Sequence, residues 1–190
     1  MTRIHQAPVS RRAMNLAHWI TQNRRRIPDG TALVWRDRTW TWAEFDARVS
    51  ATAASLAGLG VNAGDAVLVH SRNGNEMLES MFATFRLGAV WVPTNFRLLP
   101  DDVAYMAEIS RARVFLCQSD FAGHARAVEA SRIAPRTVWL AGDAPPGTGP
   151  TLCGLVASAS GVDVPDAPIE SDSACWLFFT SGTTGRPKAA

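Results

Sequence analysis

The chain holds 190 residues, 47% hydrophobic and 19% charged; this excludes wholesale disorder and leaves room for one sizeable core but not for two complete large domains. Eighteen arginines and one lysine oppose 17 acidic residues, for a formal charge of +2. That balance is too even to serve as an electrostatic footprint for nucleic acid.

In chain order, residues 13–23 place Met14, Ala17 and Ile20 or Thr21 at helical spacing, and Pro28-Asp29-Gly30 supplies a stop. Residues 32–35 and 39–40, separated by Arg36-Asp37-Arg38, predict a hairpin. Thr41 with Glu44 three residues on forms a capping box, which predicts a helix over 42–59 closed by Gly60. Next come a buried strand at 66–69, a helix at 76–87 ended by Gly88, and a strand at 89–92 stopped by Pro93. A helix from Pro100 to about Ser110, a strand at 114–117, a helix at 121–131 and a strand at 137–140 follow. The stretches 141–150 and 161–168 are rich in Gly, Pro and Asp and mark surface connections on either side of a short helix at 152–157. Residues 174–179 are apolar and predict a last strand. The alternation predicts an α/β fold: a mostly parallel sheet with flanking helices, built from βαβ units.

The segment Thr180-Ser181-Gly182-Thr183-Thr184-Gly185-Arg186-Pro187-Lys188 stands apart. Two glycines let backbone N–H groups turn toward a ligand, four hydroxyls add donors, and the only lysine of the chain closes the run, a combination suited to a polyphosphate. It is not the Walker loop, whose lysine directly follows the second glycine. Thr180, Ser181, Gly182, Thr183, Thr184, Gly185 and Lys188 are therefore the candidate phosphate ligands.

These nine residues resemble the third core motif of the adenylate-forming enzymes, the AMP-dependent synthetases and ligases that include acyl-CoA synthetases and adenylation domains. Thr41-Trp42-Ala43-Glu44-Phe45 is similar to that family's first motif, T-Y-x-E-L, and Arg86-Leu87-Gly88-Ala89-Val90-Trp91-Val92-Pro93 to its second, K-x-G-A-x-Y-V-P, with Arg for Lys and Trp for Tyr. The resemblance implies the opening part of that family's large domain: a tail over 1–13, an N-terminal α/β subdomain over 14–170, and over 171–190 the start of a second subdomain carrying the loop. It implies ATP, Mg2+ and coenzyme A as cofactors, a small carboxylic acid as substrate, and acyl-adenylate as intermediate. The nucleotide-base site, the acyl pocket and the catalytic lysine of the family come later in such chains, so the 190 residues alone are expected to be inactive. Two other readings are a catalytically silent truncated protein that acts as a binding module and an adenylation domain that loads a carrier protein.

Other features have plainer explanations. Cys117, Cys153 and Cys175 lie 36 and 22 residues apart with no C-x-x-C pair, so neither a zinc site nor a disulfide framework is suggested. The odd count fits a reducing cytoplasm. No apolar run approaches the ~18–20 residues of a membrane span, and no apolar stretch follows Ser10-Arg11-Arg12 to make an export signal. His5, His18, His70 and His124 are scattered and read as surface or helix-end residues. Arg24-Arg25-Arg26 reads as the solvated end of the first helix, and Asp101-Asp102 as a helix N-terminus.

Overall fold

The computed structural model describes residues 14–140, 144–145, 148–180 and 187–189. Helix α1 runs over His18–Arg26, later than the spacing of Met14 and Ala17 predicts. Asn15 causes the shift: its side-chain Oδ1 accepts from the Ala17 N–H at 2.9 Å and its carbonyl from the His18 N–H at 3.0 Å, a local turn that holds the helix off until the next residue. Met14 is left 62% exposed, while Ala17 and Ile20 are buried.

Strands β1 (Thr31–Trp35) and β2 (Arg38–Thr41) form the predicted hairpin, with Arg36 at φ 55° in its two-residue turn. At the start of α2 (Trp42–Gly58) the capping box closes both ways: Thr41 Oγ1 accepts from the Glu44 N–H, and Glu44 Oε2 accepts from the Thr41 N–H at 2.8 Å. The helix ends in a Schellman turn around Gly60 (φ 87°), whose N–H reaches the Ala57 carbonyl while that of Val61 reaches Leu56.

Strands β3 (Ala66–His70), β4 (Val90–Pro93), β5 (Val114–Cys117) and β6 (Arg136–Trp139) form one parallel sheet in the order β4-β3-β5-β6. The connecting helices are α3 (Asn75–Arg86), α4 (Pro100–Ser110) and α5 (Ala122–Glu129), and α6 (Leu152–Ser158) follows the sheet. Alternate strand residues feed two cores, as a sheet covered on both faces requires. Val67, Val69, Val114, Leu116 and Val138 pack with side chains of α1, α2, α3 and α6. Leu68, Phe115 and Cys117 pack with α4 and α5.

Three expectations are adjusted by tertiary contacts. The apolar run at 174–179 is not a continuous strand: it touches the β4 edge through one parallel bridge, in which the Cys175 carbonyl accepts from the Trp91 N–H and the Leu177 N–H donates to the Trp91 carbonyl, and Phe178 stays 52% exposed. Arg24 is not purely solvated, because it pairs with the buried Asp46 at 3.0 Å. His70 is not at the surface but has no exposure at all.

Candidate functional site

The order β4-β3-β5-β6 sends the chain outward in opposite directions from β3 and β5. In open parallel sheets the carboxyl ends of two such strands frame a crevice, because their outgoing loops diverge. Here a cleft of about 800 Å³ opens there, lined by Ser71, Arg72 and Gly74 after β3, Phe96 after β4, Gln118 and Asp120 after β5, and the β1–β2 hairpin. Gln118 Oε1 accepts from the Arg72 backbone N–H at 3.0 Å and from Ser71 Oγ at 3.3 Å, tying the two divergent turns together. The Arg72 guanidinium pairs with Asp120 and lies over the rings of Phe96 (5.7 Å) and Phe121 (5.1 Å).

Beneath this wall, His70 at the end of β3 donates from Nδ1 to Thr94 Oγ1 at 2.6 Å, since the Thr94 hydroxyl proton is committed to the Val69 carbonyl at 3.0 Å. The His124 ring stacks on it at 4.3 Å, and His124 Nε2 donates to the Leu98 carbonyl at 2.8 Å. The two histidines thus pin both ends of the 94–98 turn to β3 and α5. Burial, with His124 alongside, lowers the His70 pKa from 6.5 to about 4, so the ring is neutral near pH 7. Its Nε2 is buried and has no hydrogen-bond partner among the described residues, which makes His70 a positioning residue and not an accessible proton acceptor. Burial likewise pushes the Cys117 thiol up to about 12, too high for a nucleophile.

The candidate phosphate loop lies farther along the chain. Strands β7 (Phe179–Thr180) and β8 (Lys188–Ala189) pair antiparallel, with Thr180 opposite Lys188 and Phe179 opposite Ala189. Thr180 Oγ1 donates to the Lys188 carbonyl at 3.5 Å. The two ends of the nine-residue segment are therefore side by side, and the lone lysine stands exposed opposite Thr180. Ser181, Gly182, Thr183, Thr184 and Gly185 lie outside the described residues. Leu177 and Phe179 pack against the same core as Leu98 and Phe121.

Sequence reasoning missed the switch-point residues. The available signal was the pair of polar runs His70-Ser71-Arg72-Asn73 and Gln118-Ser119-Asp120, each directly following a buried apolar strand. Among the described residues no group of three or more His, Cys, Asp and Glu could hold a metal ion, and no helix is long and apolar enough to cross a membrane.

The model of one protein family, described as AMP-binding enzyme, matches residues 20–190. Feruloyl-CoA synthase of Amycolatopsis sp is 32% identical over 179 residues, covering 94% of this chain and 33% of its own length. The 3-hydroxybenzoate–CoA ligase of Aromatoleum sp. (strain CIB) is 33% identical over 163 residues, covering 86% of this chain and 31% of its own. Among solved structures, the anthranilate CoA ligase AuaEII in complex with anthranoyl-AMP superimposes with a TM-score of 0.87 at 25% identity, over 93% of this chain and 34% of that one. The chain thus spans about a third of the length of the relatives it matches.

Proposed function

Since the chain belongs to the AMP-binding enzyme family, whose model spans residues 20–190, we propose that it is the N-terminal part of an ATP-dependent acyl-CoA ligase. In that reaction a carboxylate oxygen attacks the α-phosphorus of ATP, and the bond to pyrophosphate breaks as the acyl-adenylate forms. The sulfur of coenzyme A then attacks the acyl carbonyl carbon and AMP leaves. Several relatives are named for aromatic acids, which makes aromatic carboxylates the first substrates to test. Residues 14–170 are the proposed first subdomain and 171–190 the opening of a second, in a cytoplasmic protein.

The observation that carries this reading is the closure of the loop by the Thr180–Lys188 pair. With its ends fixed, donors from Thr180 to Gly185 can converge on the β- and γ-phosphates, and the ammonium of Lys188 can offset the charge that builds on departing pyrophosphate. A compact ammonium on a mobile stem suits a leaving group that shifts during reaction better than a planar guanidinium does. The described residues build no cage for Mg2+, which in the family chemistry neutralises phosphate charge. At about a third of its relatives' length, the isolated chain is proposed to be inactive.

The test uses the full-length protein that carries this chain. Lys188→Ala should slow acid-dependent exchange of pyrophosphate into ATP by on the order of 10- to 100-fold, while thioester formation from preformed acyl-adenylate changes little. Equal losses in both half-reactions would overturn the role given to the loop. The intact mass of the polypeptide in its source cells is the companion measurement. A species well above 20.5 kDa supports the ligase reading, whereas one at 20.5 kDa replaces it with a silent binding module.

A further inference from the structure

At the opposite, N-terminal edge of the sheet the chain gathers arginines. Arg111 ends α4 in the left-handed conformation (φ 51°), Arg113 immediately precedes β5, and Arg136 opens β6. The neighbouring strand starts are stitched together, the Arg113 N–H donating to the Ala66 carbonyl at 2.8 Å and that of Arg136 to the Arg113 carbonyl at 3.4 Å. All three side chains line one concave surface of about 500 Å³ whose other walls include Leu59, Ile133 and Pro135.

The charges there are not matched. None of the three guanidinium groups has an ion pair or hydrogen bond among the described residues. The single carboxylate in the concavity, Asp65, is already engaged, its Oδ2 accepting from the Asn62 N–H at 2.8 Å. Nearby Arg132 has its own partner in Glu108 at 3.9 Å, leaving that carboxylate outside the account. Three cations against one anion leave a net charge of +2 in one depression, whereas Arg24, Arg48, Arg72 and Arg86 are each paired with an acid.

We propose that this concavity binds a phosphorylated small molecule, with Arg111, Arg113 and Arg136 taking the phosphate and the apolar wall taking part of the body. A phosphate ester carries about two negative charges in one compact group, which equals the local excess. Guanidinium forks match its oxygens in pairs, and the concavity is larger than one phosphate requires. The site lies at the end of the sheet opposite the switch-point cleft and is independent of the loop at 180–188.

The test follows thermal unfolding of the full-length protein that carries this chain in rising inorganic pyrophosphate, at ionic strength held constant with sodium chloride, with citrate as a parallel carboxylate probe. The expected result is a saturable rise in Tm with pyrophosphate and a much smaller one with citrate. The double variant Arg113→Gln/Arg136→Gln should weaken the apparent affinity at least tenfold and the single variant Arg111→Gln several-fold, whereas Arg126→Gln, an exposed arginine of α5 outside the concavity, should leave it unchanged. All replaced side chains are exposed, so the variants should unfold cooperatively near the parent temperature without ligand. A response that fails to saturate, that citrate reproduces, or that survives in the Arg113→Gln/Arg136→Gln variant while disappearing in Lys188→Gln overturns the assignment.

Discussion

Arg86 and Asp46 meet at 2.5 Å with side chains 1% and 2% exposed, joining the end of α3 to the first turns of α2. The same guanidinium donates to Ser50 Oγ at 2.6 Å and to Asp166 at 3.1 Å, and Asp46 also receives Arg24. One buried cation therefore holds α2, α3 and the connection after α6. This is the basic position of the second sequence motif, and its work here is structural. Removing one partner of such a pair strands the other charge, so Arg86→Ala should lower stability by about 3–5 kcal/mol. Arg86→Lys keeps the charge but loses the fork and should lie between, as urea unfolding of the two variants would measure.

The capping box offers a smaller and cleaner change. Thr41→Ala removes the acceptor for the Glu44 N–H and should cost about 1 kcal/mol. The Thr41 N–H and hydroxyl both donate to the Glu44 carboxylate and hold its pKa below the usual carboxylate range. The unfolded chain therefore takes up this proton before the folded one does. The stabilisation is complete above the ordinary Glu pKa and is lost as pH falls through the lowered one. In Glu44→Gln that acid dependence should disappear from denaturation midpoints taken between pH 6 and 3.

His70 has the opposite chemistry and a different window. Its folded pKa is about 4 against an ordinary 6.5, so between those values the unfolded chain binds a proton that the folded chain refuses. Stability should then fall as pH is lowered from 6.5 toward 4, by up to about 3 kcal/mol. His70→Phe keeps an aromatic face for His124 and Phe121 and removes the titration, so it should flatten the stability profile across that interval. An undiminished slope in the variant would place the acid sensitivity elsewhere.

Gly88 ends α3 at φ 69°, and a Cβ built on it would stand 2.6 Å from Ile169 Cγ2. The return connection at 167–169 is laid directly over this turn, with the Ala167 N–H donating to the Arg86 carbonyl at 2.8 Å. Gly88→Ala combines left-handed strain with a steric clash and should lower stability by more than about 1 kcal/mol. Gly58→Ala, with nothing within 4 Å of the new methyl and a helical site, should be neutral or slightly stabilising in the same assay.

What the sequence by itself determined is everything closed within a few residues: the capping box at Thr41 and Glu44, the left-handed turns at Gly60 and Gly88, the hairpin at Arg36-Asp37, and the strand–helix alternation that yields a covered parallel sheet. The three motifs, read in order, also pointed to the family that the match over residues 20–190 establishes. Tertiary structure alone decided the rest. It paired Arg86 with Asp166 across 80 residues, stacked His70 on His124, brought the polar turns after β3 and β5 into one cleft, and lined one concavity with three arginines from different elements. It also limited the apolar run at 174–179 to one bridge at the β4 edge and the pairing of Phe179 in β7, because strand formation depends on a neighbour with free N–H and C=O groups and not on apolar composition. Periodicity and caps report interactions between near neighbours along the chain; which distant charges and rings meet is set by how the layers pack.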